Sequence, residues 1–173
     1  NMTNGKQDNK NNCCYDLKLS NKNALRTDWK LPNEPLVQGQ WTLKAEQIFN
    51  PNWIQYCKEK GIHLLGDVML FYKAPFLNSN RAHTDVTEET HTTWALNWTI
   101  GNDTSYMMWF NKPADNLEKI YAKQGDEKYI EWDTRQLEMI DQKQIKDEIV
   151  LCRVDIPHSI KVGKQPRWCI SVR

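Results

Sequence analysis

The chain has 173 residues, and its 23 basic side chains nearly balance its 22 acidic side chains, for a formal net charge of +1. A chain of this length builds one sizeable core, and its small net charge provides no field to attract nucleic acid or an anionic membrane, so we expect one domain and neither partner. It has no apolar run near the roughly 20 residues of a membrane span and no apolar signal-peptide core, so we expect a soluble, cytoplasmic protein.

The start of the chain differs in composition from the rest. Residues 1–25 are rich in Asn, Lys, Asp and Ser and contain few large apolar side chains. Such a composition buries too little apolar surface to offset the entropy lost on ordering. We therefore expect a flexible tail over residues 1–25, followed by a single jelly-roll domain over residues 26–173.

The domain is dominated by short segments with β-strand composition. A predicted strand covers residues 35–43, and a predicted helix follows at 51–60, where Gly61 ends it. Further predicted strands are at 67–74, 82–86, 92–100, 105–110, 129–132, 149–156 and 167–172. Residues 117–122 are predicted as a helical turn and 141–148 as a polar turn. Many short strands with few helices predict a mainly β fold with flanking helices, in the form of a jelly roll, or double-stranded β-helix.

Two candidate metal ligands, His83 and Asp85, lie close together in the sequence. Side chains two residues apart on a strand leave the same face, so this imidazole and this carboxylate can bind one metal ion. A third candidate, His158, follows an apolar predicted strand much later in the chain, and a jelly roll brings such distant segments together. Two imidazoles and one carboxylate leave open coordination positions on iron(II), as non-haem oxygenases require. Most isolated His-x-Asp pairs are ordinary surface residues, so this pair needs further support.

That support comes from Arg167, which begins the last predicted strand. Alternation places Arg167 on one face with Cys169 and Ser171, and Trp168 on the other. A buried guanidinium without a partner is costly, so an interior Arg167 needs an anion. Its planar fork matches the far carboxylate of a dicarboxylic oxoacid, whose other end can chelate the metal. The alternative is an exposed arginine at the end of a strand, in contact with solvent.

Taken together, His83-x-Asp85, His158 and the strand that begins at Arg167 resemble the iron(II)- and 2-oxoglutarate-dependent dioxygenase superfamily, and most closely its prolyl-hydroxylase-like branch. The resemblance covers about residues 64–173. It implies an enzyme that uses iron(II), 2-oxoglutarate and dioxygen to hydroxylate a C–H bond of a peptide side chain or a small metabolite. It also implies the two histidines and the aspartate as metal ligands, and no catalytic residue beyond them.

The same resemblance implies which residues bind the oxoacid. Arg167 would hold its distal carboxylate, and Tyr72 is similar in placement to a tyrosine that contacts the oxoacid in this branch. A predicted strand between the metal ligands offers Asn97, with Trp98 and Thr99 as alternatives, where related enzymes often supply another polar contact. Besides Arg167, the resemblance therefore implies Tyr72 and Asn97 as cofactor-binding residues.

Other classes of protein fit part of the same pattern. A cupin-like metal enzyme without an oxoacid would share the fold, but such sites generally use more histidines, and this chain has four. A jelly-roll binding module without catalysis would use His83 and Asp85 only for hydrogen bonds. The five cysteines, odd in number and without a Cys-x-x-Cys pair, favour free thiols over a thiolate metal site.

The loop 74–81 is a candidate lid beside the site.

Overall fold

The computed structural model describes residues 12–64, 66–85, 92–124 and 127–172, and within these ranges the chain is mainly β. The strands are β1 (Cys14–Asp16), β2 (Gln38–Lys44), β3 (Asp67–Lys73), β4 (Arg81–His83), β5 (Trp94–Thr99), β6 (Ser105–Phe110), β7 (Ile120–Gln124), β8 (Glu127–Asp133), β9 (Met139–Ile145), β10 (Ile149–Arg153), β11 (His158–Lys161) and β12 (Arg167–Val172). The helices are α1 (Ala45–Ile48) and α2 (Pro51–Glu59), and Thr134–Gln136 forms one 3-10 turn. The prediction of a mainly β chain with few helices is confirmed.

The described strands form two antiparallel sheets of six strands each. The order in the first sheet is β1-β10-β5-β12-β3-β2, and the order in the second is β7-β8-β4-β11-β6-β9. From β3 to β6, and again from β9 to β12, each successive strand lies in the other sheet. As a result, strands that are distant in sequence become neighbours, including β4 with β11 and β3 with β12.

Helix α2 begins and ends where its sequence provides caps. The Asn50 side chain accepts a hydrogen bond from a backbone N–H of the first turn, and Pro51 occupies that turn without losing an intrahelical bond. Gly61 follows the helix with φ of 85°, a conformation that favours glycine. Trp53 and Cys57, four residues apart, are the buried residues of α2. Among the described residues, no helix is both long enough and apolar enough to cross a membrane.

The helices cover one face of the first sheet. Their buried side chains form a cluster with alternate residues of β3, β5 and β12, and its members include Ile48, Phe49, Trp53, Cys57, Val68, Leu70, Tyr72, Leu96, Trp98, Trp168, Ile170 and Val172. Burial of this apolar surface stabilises the fold by roughly 25 cal/mol per Å² removed from water. All six residues of β12 are buried, so Arg167, Cys169 and Ser171 lie on the opposite, inner face of the sheet.

A second cluster joins the two sheets on that inner face. It contains residues of β6 and β9 from the second sheet and of β10 from the first, together with a residue that precedes β1: Met107, Trp109, Ile145, Val150, Cys152 and Cys13. The Trp109 indole N–H also donates to the Arg153 carbonyl at 2.9 Å, which satisfies its one polar group in the core. The inner face thus combines an apolar end with polar side chains of β12.

The structure corrects the predicted tail at 1–25. Residues 1–11 lie outside the described ranges, but residues 12–25 are docked on the domain. Strand β1 pairs with β10, Cys13 is buried in the second cluster, and the Ser20 carbonyl accepts a 2.7 Å hydrogen bond from the Trp53 indole. Ala24 is buried under the helices. The segment is polar on average, but a few of its apolar side chains are buried in the core. Together with the backbone pairing, these side chains attach residues 12–25 to the domain.

Two turn predictions are also wrong. The segment 117–122, predicted as a helical turn, leads into β7, which pairs with β8. The segment 141–148, predicted as a polar turn, overlaps β9, which pairs with β6. Among the described strands, β7 and β9 are the outermost strands of the second sheet and each pairs with one neighbour, so polar side chains are tolerated there. By contrast, the predicted bounds 105–110 and 167–172 agree with β6 and β12.

Candidate metal centre

His83 and His158 are directly opposite residues on neighbouring strands. His83 ends β4 and His158 begins β11, and these two strands pair antiparallel with the two histidines in register. Their ring centroids are 4.5 Å apart. Cross-strand partners extend their side chains from the same face of the sheet. The sheet topology therefore brings together two imidazoles that lie far apart in the sequence.

Asp85 completes the cluster from the segment that follows β4. Its backbone N–H donates to the Val154 carbonyl at 2.7 Å, which fixes this segment against the chain that leads into β11. One carboxylate oxygen of Asp85 lies 3.3 Å from Nε2 of His83 and 3.3 Å from Nε2 of His158. One ligand atom from each of the three residues lies within 4.8 Å of the others, so the three can hold one metal ion.

The tautomer of His158 suits a metal ligand. Its Nδ1 lies 2.8 Å from the carbonyl oxygen of Ile156, and a carbonyl only accepts, so Nδ1 carries the proton and donates it. In the neutral ring the lone pair is therefore on Nε2, the atom that faces Asp85. A backbone carbonyl on the second nitrogen is the usual way to orient a metal-binding histidine.

The centre is closed on one side and open on the other. The side chains of His158 and Asp85 are 6% and 9% exposed, whereas that of His83 is 42% exposed and has its ring edge against Tyr129. Partial burial and the neighbouring His158 lower the pKa of His83, while its hydrogen bond to Asp85 opposes this shift. The neutral imidazole, the form that binds metals, is thus favoured.

Arg167 lies on the inner face of β12 opposite Lys73 of β3. Its side chain is buried, and its Nε has no hydrogen-bond partner among the described residues. Burial lowers the pKa of Lys73, the charge of Arg167 lowers it further, and Glu131 opposes both. The Lys73 charge also contributes to the lowered pKa of His83, so Lys73 lies near this member of the ligand set. A buried guanidinium beside a partly buried ammonium creates a site that favours an anion.

Asn97 lies on the same inner face as Arg167. It pairs across the ladder with Ser171 of β12, and Ser171 alternates in phase with Arg167. The side-chain oxygen of Asn97 is buried and lacks a hydrogen-bond partner among the residues that the structure describes. Such an acceptor is suited to a donor from a bound ligand or water. The structure therefore places Asn97 on the inner face of the first sheet, and its contact with an oxoacid stays a prediction.

Tyr72 does not lie with these residues. It pairs with Trp168 on the outer, helix-covered face of the first sheet, and the two ring centroids are 4.7 Å apart. Burial raises the pKa of its phenol, and the carboxylate of Glu34 adds to this shift. We therefore withdraw Tyr72 as an oxoacid contact. Sequence reasoning missed Lys73, the next residue, although alternation along β3 gives it the inner face.

The loop 74–81 is attached by its backbone to the segment that follows β11. The Phe76 N–H donates to the Gly163 carbonyl at 2.8 Å, and the Val162 N–H donates to the Leu77 carbonyl at 3.3 Å. Asn78 forms an isolated bridge with Lys161. If the loop 74–81 moved as a lid, these two hydrogen bonds and the bridge would have to break. The structure shows one position of this loop, and its role as a lid stays a prediction.

Comparisons with known proteins add no family assignment. No protein-family model matches the chain, and a search of curated proteins gives no significant match. The function is therefore inferred from the geometry of the site itself.

Proposed function

We propose that this chain is an iron(II)- and 2-oxoglutarate-dependent dioxygenase with a jelly-roll domain. The observation that carries the proposal is the convergence of His83, Asp85 and His158 into one ligand set. The buried Arg167 and the partly buried Lys73 on the inner face support it, because these paired cations offer an anion site and the charge of Lys73 acts on His83.

The strand order is consistent with a double-stranded β-helix. In such a fold, eight strands alternate between two sheets of four strands. Strands β3 to β6 and β9 to β12 follow this alternation, with the order β10-β5-β12-β3 in one sheet and β4-β11-β6-β9 in the other. Under this interpretation β1, β2, β7 and β8 are additions to the edges of the two sheets.

The donor set favours iron(II) over softer metals. The three atoms that face one another are two imidazole nitrogens and a carboxylate oxygen, all of which accept rather than donate when the histidines are neutral. A cation between them would satisfy all three at once. Two histidines and one carboxylate bind one face of a non-haem iron(II) and leave its other positions open.

The inner face of the first sheet offers a binding site for the oxoacid. Arg167 has a planar fork that matches a carboxylate, and Lys73 supplies a second positive charge next to it. The free oxygen of Asn97 would take a water or hydroxyl donor further along the same face. In this arrangement a dicarboxylate offsets the cost of the buried Arg167 and the partly buried Lys73, while its oxoacid end extends to the metal.

The exposed side of His83 gives the substrate a direction of approach. Iron and 2-oxoglutarate, when bound, supply the oxidation of a substrate C–H bond by dioxygen. The chain itself holds both groups, and the buried His158 and Asp85 keep water from the inner side of the centre. The half-exposed His83 leaves the outer side open to a peptide side chain or a small metabolite.

Turnover tests this proposal. Iron-loaded protein is incubated with 2-oxoglutarate, dioxygen and sets of peptides or small metabolites, and succinate and a mass gain of about 16 Da on the substrate are measured. We expect both products from the unmodified protein and neither from a His158→Ala variant. Metal binding without 2-oxoglutarate binding would instead indicate a metal enzyme that uses no oxoacid. A folded protein that binds no metal would indicate a binding module without catalysis.

A further inference from the structure

Cys14 and Cys152 face each other at the edge of the first sheet. They are directly opposite residues of β1 and β10, and their Sγ atoms are 3.4 Å apart. All five cysteines of the chain are described, and all five are free thiols. Neither cysteine belongs to the group of three possible metal ligands, and neither has a role in the function proposed above.

The backbone register suits a disulfide at this position. The Arg153 N–H donates to the Cys13 carbonyl, and the Leu17 N–H donates to the Ile149 carbonyl, so these are hydrogen-bonded positions of the ladder. Positions alternate along an antiparallel ladder, and Cys14 with Cys152 is therefore a non-hydrogen-bonded pair, with Cα atoms about 4.5 Å apart. That separation falls within the range that disulfides span. The bond can therefore form without separating the strands.

We propose that Cys14 and Cys152 form a dithiol site that a peroxide oxidises to a disulfide. The Cys14 sulfur attacks one peroxide oxygen, the O–O bond breaks, and a sulfenic acid and one water form. The Cys152 sulfur then attacks the Cys14 sulfur and the S–O bond breaks. The hydroxyl leaves with the proton of Cys152 as a second water. Two thiols lose two electrons, and hydrogen peroxide accepts both.

Exposure assigns the order of these two steps. Cys14 is half-buried on an outermost strand of the sheet, where a small oxidant has access, and Cys152 is fully buried beside it. The hydrogen bond with Cys14 and burial raise the pKa of Cys152, so it remains a thiol until the sulfenic acid forms. Cys14 is thus the thiol that reacts first, and Cys152 is the resolving thiol.

The disulfide would tie β1 to a strand that supports the metal centre. Two residues after Cys152, the Val154 carbonyl accepts the hydrogen bond from the Asp85 backbone. The Arg153 carbonyl between them accepts from the Trp109 indole. The link would therefore join the N-terminal segment to the chain that positions one ligand.

The test is controlled oxidation of the full chain with a small excess of hydrogen peroxide. We expect the loss of two of the five thiols, a mass decrease of about 2 Da, and recovery of both thiols with dithiothreitol. Fragment spectra that separate Cys13 from Cys14 should show the link between Cys14 and Cys152. The oxidised protein should melt about 5 to 10 °C above the reduced form, because the link closes a long loop.

Matched variants make the assignment specific. Cys14→Ala and Cys152→Ala should each abolish the mass decrease, whereas Cys57→Ala, which removes a buried thiol of α2, should leave it intact. Only one of the first two variants needs to fold for the comparison. A link through Cys13 or Cys169, an unchanged thiol loss in Cys14→Ala, or oxidation that adds oxygen without forming a link would each overturn the proposal.

Discussion

His158 is the most constrained of the three proposed metal ligands, because its ring is buried and its Nδ1 donates to the Ile156 carbonyl. We expect His158→Ala to weaken manganese(II) binding at least about 100-fold, since loss of a ligand costs more than loss of an outer hydrogen bond. Calorimetric titration measures this affinity. His63→Ala is the matched control, because His63 is exposed and lies outside the ligand set. Equal affinity in both variants would refute the ligand assignment.

Arg167 is the residue on which the proposed oxoacid binding depends. In the manganese-loaded protein, Arg167→Ala should weaken 2-oxoglutarate binding by about 2 to 4 kcal/mol, because a desolvated, charge-assisted pair is lost. Manganese affinity itself should change little. Lys73→Ala should have a smaller effect on oxoacid binding, since an ammonium lacks the planar fork.

The control for Arg167 is Arg26→Ala, which removes an arginine of a surface ion pair with Asp28. This variant should bind 2-oxoglutarate as the unmodified protein does. If Arg167→Ala keeps the same oxoacid affinity as Arg26→Ala, the inner-face cations are not the oxoacid site.

The buried thiols should be unreactive at neutral pH. Burial raises the pKa of Cys57 to about 11, and burial with the charge of Asp141 raises the pKa of Cys13 to about 11. At pH 8 only about one in a thousand such groups is a thiolate, so alkylation by iodoacetamide should be slow and should accelerate toward pH 11. Peptide mass spectrometry after timed alkylation measures each site. Rapid labelling of Cys57 at pH 8 in folded protein would contradict the burial.

At the residue scale, the sequence predicted three possible metal ligands, because few residue types bind metal ions. The structure brings these three residues, His83, Asp85 and His158, together. The inner position of Arg167 follows from alternation along its strand, while its role in binding an anion stays a prediction. Tyr72 was assigned by resemblance in placement, without testing which face of its strand it occupies. Lys73 was missed because its proximity to Arg167 depends on the register between β3 and β12, which neither segment encodes alone.

At the element scale, β1 makes a prediction about truncation. Deletion of residues 1–20 should lower the free energy of unfolding by about 2 to 4 kcal/mol and the melting temperature by about 5 to 15 °C. The deletion removes the pairing with β10, the buried Cys13 and the carbonyl that accepts from Trp53. Thermal unfolding followed by circular dichroism measures the change.

Deletion of residues 1–11 alone provides the control for this experiment. It removes no contact among the described residues and should leave the melting temperature within a few degrees. If both deletions have the same small effect, β1 contributes little to stability.

Strands with an apolar, alternating pattern were predictable, and polar edge strands were not. The bounds of β6 and β12 follow from their apolar composition, and β12 is buried at every position. Strand β9, by contrast, contains Asp141, Gln142, Lys143 and Gln144, and β7 is also outermost in its sheet. An outermost strand gains its stability from backbone pairing with one neighbour. Because backbone pairing does not depend on apolar side chains, such a strand has no clear alternating pattern in its sequence.

At the scale of the whole molecule, the metal should stabilise the fold. Its proposed ligands come from β4, from the segment after β4 and from β11, so binding is possible only when these elements are assembled. At a free metal concentration of about 100 times the dissociation constant, manganese(II) should raise the stability by about 2.7 kcal/mol. Thermal unfolding with and without a chelator measures this shift. No shift is expected in His158→Ala, and an equal shift there would indicate metal binding elsewhere.

The pairing of β4 with β11 also determines when a metal can be acquired. A growing chain produces His83 and Asp85 together but produces His158 only after β5 to β10 have been made. Until β11 takes its place beside β4, the chain has two of the three ligands and no complete site. Closing such a long loop is a slow event in folding. We therefore expect the metal to bind late in folding, after β4 and β11 have paired. The bound metal would then stabilise the assembled sheet and would not act as the folding nucleus.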